Sequence, residues 1–273
     1  MNNLQDLHTF SSALKNTDRM PLLFVGHGNP MNAIADNTFN QSWKKLGQEL
    51  PRPKAILVIS AHWITPKSTC VTATNAPKTI HDFGGFPQEL FEQQYKAPGA
   101  PEMAKEVQSL VASPEVLTDH EWGLDHGSWS ILLPMFPLAD IPVFQVSIDY
   151  TQPPTFHYKL GQELKKLRDK GVLIIGSGNI VHNLQAVDWQ GRKTYDWALE
   201  FDQKIAAWIE ENKHQHIIDF QKLDTLASLA HPTYDHFLPL LYILGMQDKK
   251  DQISFFNSEF DMSSISMRSV IYS

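Results

Sequence analysis

The chain alternates between two kinds of segment. Short unbroken apolar runs stop at Gly, His or Pro, and longer stretches carry apolar residues three and four apart. Ala55–Trp63 (AILVISAHW) is the sharpest of the first kind. Ile56, Leu57, Val58 and Ile59 show no in–out alternation, so the run predicts a strand covered on both faces, as in parallel sheets. Leu22–His27 (LLFVGH) and, more loosely, Val172–His182 (VLIIGSGNIVH) repeat the design. Three buried strands thus each deliver a histidine at or shortly past the carboxyl end, where open α/β sheets place their functional crevice.

The helical stretches fit between these runs. Asp6–Leu14 reads as a short amphipathic helix, and Gln41–Leu50 as a helix stopped by Pro51-Arg52-Pro53. Pro101 opens one with Met103, Val107, Leu110 and Val111 on a single face. Pro153-Pro154-Thr155 opens another, carrying Phe156, Leu160, Leu164 and Leu167, which Gly171 ends. With the strand Ile141–Ile148 before it and Val172–Ile175 after it, this is a βαβ unit. Trp197–Ile209 turns Trp197, Phe201, Ile205 and Trp208 inward. Proline fits a helix only in its first turn. Pro239 therefore predicts a helix from near Asp235, with His236 at a dipole end that disfavours imidazolium.

Weaker strands are expected at Thr69–Thr74, Val116–Leu117, Ile253–Phe256 and Ile265–Ile271. Thr79–Pro87, with Gly84-Gly85 between aromatics, reads as an ordered loop and a lid. Asp119–Trp129 reads as irregular. No repeat, linker or low-complexity stretch interrupts the pattern. The expectation is one α/β domain over residues 20–273, preceded by an N-terminal extension or short helix at 1–19. Its central sheet is mixed, largely parallel and flanked by helices, with a metal site at the strand C-terminal edge.

Composition narrows the function classes. A chain of 273 residues can bury a sizeable core. A formal charge of −7 argues against non-specific nucleic-acid binding. No apolar run approaches the roughly 20 residues of a membrane helix, and the N-terminus shows no signal-peptide core. The single cysteine, Cys70, excludes an intramolecular disulfide and fits a reducing, cytoplasmic setting. The 12 histidines stand out, because several sit beside Gly, Asn, Asp and Trp rather than in charge runs.

His27 and His62 are the strongest pair. Either alone is as readily a satisfied polar residue at a strand end; with His182 and His236 added, a metal reading gains. Imidazole suits Zn, Fe, Cu and Ni alike, and no Cys pair or HExxH motif narrows the choice. The Gly176-Ser177-Gly178 turn lacks the third glycine of the dinucleotide fingerprint, since Val181 stands there; its glycines suit close backbone approach to a metal or small substrate. His126, beside Asp125 and near Trp122 and Trp129, is an acid/base, a substrate hydrogen-bonder or a structural histidine. Ser128 and Ser177 lie outside any G-x-S-x-G elbow. His81 lines the site or ties its loop. His231 ranks below His236, being followed by Pro and five residues off its face. His214 and His216 read as surface residues, and His8, His120 and His157 as incidental.

Six motifs in order carry a resemblance: GHGNP at Gly26–Pro30, SAHW at Ser60–Trp63, TIHDFGGFP at Thr79–Pro87, DHGSW at Asp125–Trp129, GSGNIVHN at Gly176–Asn183 and HPTYDHFLPL at His231–Leu240. Together they resemble the DOPA-type extradiol dioxygenases, within the class III ring-cleavage superfamily that includes the protocatechuate 4,5-dioxygenase catalytic subunit. The resemblance runs from about Met20 to the C-terminus. It implies one divalent metal per chain, Fe(II) for catalysis or Zn(II) as isolated. It implies His27, His62 and His236 as ligands, and His182 as acid/base or, as in some members, a fourth ligand. It implies His126 near the substrate, and its motifs put forward His81, Ser128 and Trp129 as substrate-binding residues. The partners it implies are a small catecholic substrate and O2. A glutamate holds the third ligand position in the protocatechuate enzyme, and the usual non-haem iron set is two histidines and a carboxylate. The all-imidazole set here also suits zinc. Two other readings use the same histidines: a zinc hydrolase acting through metal-bound water, and a metal-dependent small-molecule-binding protein.

Overall fold

A six-stranded sheet runs through the middle of the computed structural model, which describes residues 19–191 and 193–273. The expected helix at Asp6–Leu14 lies outside the described residues. The sheet strands are Leu22–Gly26 (β1), Ala55–Ser60 (β2), Val143–Gln145 (β3), Val172–Gly178 (β4), Ile253–Phe256 (β5) and Ser269–Tyr272 (β6), in the order β3-β2-β4-β1-β6-β5. β1 to β4 are parallel, with Leu23 opposite Ile175, Leu57 opposite Ile174 and Ile56 opposite Val143. β6 is antiparallel to β1 and to β5. The sheet is thus mixed and largely parallel, as the apolar runs predict.

Its main helices are Thr38–Glu49 (α1), Pro101–Leu110 (α2), His126–Met135 (α3), Pro154–Leu164 (α4), Asp196–Glu210 (α5) and Leu238–Met246 (α6). The unbroken apolar runs divide residue by residue between two cores, because successive side chains leave a strand on opposite faces. Leu22, Phe24, Leu57 and Ile59 pack with α2, α4, α5 and α6. Leu23, Val25, Ile56 and Val58 pack with α1 and α3. Each of these strand side chains is fully buried, worth about 1.5–3 kcal/mol apiece. With both faces covered, the open carboxyl edge of β1, β2 and β4 is where the chain places polar groups.

Several boundaries differ from expectation. Ile141–Ile148 is not one strand. After Gln145 the chain leaves β2, and Ile148–Asp149 pairs instead with Ile64–Thr65. Ile265–Ile271 is likewise split: Ile265–Ser266 pairs with Phe260–Asp261 before β6 joins the main sheet. The Thr69 strand ends at Thr72, paired with Val116–Asp119. Within the supposedly irregular Asp119–Trp129, α3 begins at His126, capped by Asp125 Oδ1, which accepts from Ser128 N–H at 3.1 Å. Trp197 and Trp208 are only partly buried; Ala198, Phe201, Ile205 and Ile209 form the inward face of α5. The last helix starts at Leu238 with Pro239 in its first turn, so His236 precedes it in a turn.

Candidate metal centre

The carboxyl edge gathers five histidines. His27 follows β1 and continues its ladder, its N–H donating to Gly178 C=O at 3.2 Å. His62 stands two residues past β2. His236 is held by its own carbonyl, which accepts from Asn179 N–H at 2.9 Å. That approach requires Gly178, where a β-carbon would collide with the His236 carbonyl oxygen. The close contact these glycines make possible at the end of β4 is therefore to the His236 backbone. The ring centres lie 5.1 Å apart for His27–His62, 5.2 Å for His27–His236 and 4.9 Å for His62–His236. One nitrogen of each falls within 4.8 Å of the others, a set able to hold a metal.

The hydrogen bonds decide which nitrogen faces inward. Ser177 Oγ donates to Gly127 C=O at 2.5 Å, so its contact with His27 Nδ1 at 3.0 Å must be accepted from an Nδ1–H. His236 Nδ1 lies 2.5 Å from Asp235 Oδ2 and His62 Nδ1 lies 3.3 Å from Asp82 Oδ2. Carboxylates only accept, so the His236 proton is also on Nδ1, and the charge of Asp82 favours the same tautomer of His62. His27 and His236 then present a bare Nε2, and His62 does so in the tautomer that Asp82 favours. The Nε2 atoms of His27 and His62 face each other at 3.1 Å, and His236 Nε2 is buried without a partner. In the metal-free protein one N–H···N hydrogen bond satisfies that distance; with both Nε2 atoms bare, a cation between them does. Nitrogens around one ion at 2.0–2.1 Å stand about 3.0–3.4 Å apart, so the donor set fits a divalent metal.

Electrostatics keep the rings neutral, as ligation requires. Burial, then the neighbouring rings of His62, His236, His126 and His182, holds His27 well below the usual imidazole value. His236 is lowered in the same way, by burial and then by His182, His62 and His126. Burial and His126 bring His62 to about 3 against the pull of Asp82. Burial tends to raise the Asp82 carboxyl, but its contact with His126, then the charge on His62, holds it at about 2.

Residues 20–270 match the family described as the catalytic LigB subunit of aromatic ring-opening dioxygenase. The chain belongs to this LigB family. It is 45% identical to the 4,5-DOPA dioxygenase extradiol of Escherichia coli K12, over 94% of this chain and 96% of that protein. It is 39% identical to the enzyme of the same name from Beta vulgaris, over 87% and 91% respectively. A crystal structure of an uncharacterized E. coli K12 protein superposes with a TM-score of 0.81 at 40% identity, covering 93% of this chain and all of that one. LigB proteins are metal-dependent aromatic ring-opening dioxygenases, which decides between the readings left open by the histidines. Among the described residues, no helix is long and apolar enough to cross a membrane.

The other expected site residues of this LigB protein fall into two groups. His182 stacks face to face on His236, ring centres 3.5 Å apart and planes within 4°. It stands beside the triplet of converging nitrogens, not within it, and burial brings it to about 4 against the pull of Asp235. His126 lies against His62 at 3.8 Å between ring centres. His81 instead donates to Gln93 C=O at 3.0 Å and so ties its loop. Ser128 and Trp129 are fully buried. Ser128 Oγ donates to Gln145 Oε1 at 2.6 Å and Trp129 Nε1 to Ile80 C=O at 2.9 Å, so both brace the site instead of lining it. His231 donates through Nε2 to Ile180 C=O at 2.6 Å and is structural. His157 is fully buried against Tyr242 Oη at 3.0 Å. His214 bridges Tyr158 and Gln247, so it is not a free surface residue.

Sequence reasoning missed Asp82 and Asp235, and weighed Ser177 only as a nucleophile. The adjacency Asp235-His236 was a usable signal. Nothing local marked Asp82, whose contacts reach 20 and 44 residues along the chain.

Proposed function

We propose that this LigB protein is a mononuclear non-haem extradiol dioxygenase that opens a catechol ring, with DOPA as a substrate. The observation that carries the reading is the set of three converging, buried imidazole nitrogens of His27, His62 and His236, with a fourth imidazole, His182, stacked alongside. DOPA enters through the names of the curated relatives. His27, His62 and His236 would hold the metal, Fe(II) in the working enzyme. An all-imidazole set brings no negative charge of its own and accepts zinc readily, so zinc is expected in protein purified in air.

When bound, the metal supplies a Lewis acid that favours the catecholate and a common point of attachment for substrate and O2. The chain's own groups handle orientation and protons. Ser177, Asp82 and Asp235 keep the three ligand rings turned with Nε2 inward. His182 is neutral at physiological pH, accepts a catechol hydroxyl proton and later returns it. His126, on the far side of His62, is placed to hydrogen-bond the substrate. Phe83, 5.6 Å from His126 between ring centres, gives an apolar wall on that side. The ring opens beside its two hydroxylated carbons, giving a muconic semialdehyde.

The test is anaerobic preparation of metal-free protein, loading with Fe(II) or Zn(II), and O2 uptake on DOPA and a panel of catechols. Uptake in the Fe(II) form with semialdehyde formation is expected. No uptake with any catechol would overturn the dioxygenase assignment for this chain, and turnover confined to the Zn(II) form would point to a hydrolase.

A further inference from the structure

Three nitrogens meet one carboxylate on the Thr79–Pro87 loop. The main-chain N–H of His126 donates to Asp82 Oδ1 at 2.9 Å. His126 Nδ1 and His62 Nδ1 lie 3.0 Å and 3.3 Å from Oδ2. The loop around Asp82 is tied at its base, through His81 to Gln93 and through Ile80 C=O to Trp129. Phe83 is packed among Phe86, Phe91 and Trp129. Its tip, Gly84-Gly85, has no neighbour near either α-carbon. Thus one residue of this loop reaches both a proposed metal ligand and the histidine beside the substrate.

We propose that Asp82 is a positioning residue that fixes His62 and His126 in their Nδ1–H tautomers, making the Thr79–Pro87 loop part of the metal centre. The inference rests on the metal-site reading of His62 above. Its chemistry is that only a carboxylate can accept on both sides. An asparagine at 82 offers one oxygen and one NH2. Turned one way, it sets its NH2 against the two imidazoles and demands their protons on Nε2, which blocks His62 as a ligand. Turned the other way, it sets NH2 against the His126 main-chain N–H. The first orientation costs His62 as a ligand and the second a donor–donor clash, although the side chain is almost isosteric. Outer carboxylates of this kind commonly alter metal affinity 10- to 100-fold.

The experiment is a titration of metal-free protein with Co(II), followed by its visible absorption, and with Zn(II) in competition with a chromophoric chelator. Wild type is compared with Asp82→Asn, Asp82→Glu and Leu138→Ala, the last an exposed residue outside the loop and the centre. Histidine tautomers are read by long-range 15N–1H NMR on the metal-free wild type and on Asp82→Asn. Expected are one metal per wild-type chain, a 10- to 100-fold weaker affinity with an altered Co(II) spectrum in Asp82→Asn, recovery of most of that loss in Asp82→Glu, and wild-type affinity in Leu138→Ala. His62 is expected as Nδ1–H in wild type and displaced from it in Asp82→Asn. Unchanged metal affinity in Asp82→Asn overturns the proposal, as does an Nε2–H His62 in wild type, which needs no variant to fold. Two metals per wild-type chain falling to one in Asp82→Asn also overturns it, because Asp82 would then be a ligand in its own right. None of these readouts needs ring cleavage, so failure of the dioxygenase assignment would show separately, as absent O2 uptake in a protein that binds metal normally.

Discussion

Ser177 determines which nitrogen of His27 faces the centre. Its hydroxyl has one proton, given to Gly127 C=O, so it takes the Nδ1–H of His27 and leaves Nε2 bare. The serine is fully buried, so water cannot replace it without rearrangement. Ser177→Ala is expected to keep the fold and to weaken metal binding about 10-fold, near the lower end for an outer hydrogen-bond partner. Equilibrium dialysis with Zn(II) checks this; an unchanged affinity would show that His27 is oriented by packing alone.

His182 separates two roles that look alike in a static centre. It stacks on His236 instead of converging on the same point as His27 and His62. His182→Ala should therefore retain one metal per chain while kcat for catechol cleavage falls about 10²- to 10⁴-fold, the usual span for a general acid/base. Metal content and O2 uptake on one sample give both readouts. Loss of the metal would make His182 a ligand.

How much of this could be read from sequence follows from range of interaction. β1, β2 and β4 were legible because unbroken apolar runs require two covered faces, and His27 and His62 because their runs end at them. The breaks at Val146 and Met267 were not. Apolar residues recur on both sides of each break (Val146 and Ile148, Met267 and Val270), while the chain changes pairing partner through residues far away, Ile64–Thr65 and Phe260–Asp261. Pro239 marked a first turn correctly but allowed starts several residues apart, so His236 was placed on a helix that begins beyond it. Ser177, Asp82 and Asp235 act through tautomer choice, which only the assembled geometry reveals.

Acid should unfold the metal-free protein through histidines outside the centre as well as within it. Burial lowers His157 to about 4, against its hydrogen bond to the Gln152 backbone carbonyl and the charge of Asp149. Burial also lowers His231 to about 4, against its bond to Ile180. The unfolded chain protonates these groups below about 6.5 and the native state does not until about 4, so stability falls as pH drops through that window. One pKa unit is about 1.4 kcal/mol, which makes each group cost about 2 kcal/mol by pH 5. His27, His62 and His236 act in the same direction. Urea unfolding from pH 7.5 to 5 measures the slope, and His157→Gln should reduce it by about one proton. A flat profile would mean that these histidines accept protons in the native state.

Gly178 tests whether the centre depends on backbone approach. It ends β4, and any β-carbon there would strike the carbonyl of His236, the same oxygen that accepts from Asn179 N–H. The obstacle is main chain on both sides, so rotamer changes cannot relieve it. Gly178→Ala must push the His236 turn away from the sheet, which moves Nε2 relative to His27 and His62. Overpacking of this kind costs about 1–3 kcal/mol in stability. The loss of metal affinity should be larger than that strain alone implies, because His236 is displaced from the two ligands it must meet. Thermal unfolding of the metal-free variant and Zn(II) affinity of the folded variant separate the two effects. Wild-type affinity in a destabilised Gly178→Ala would show that His236 follows the metal and not the backbone that presents it.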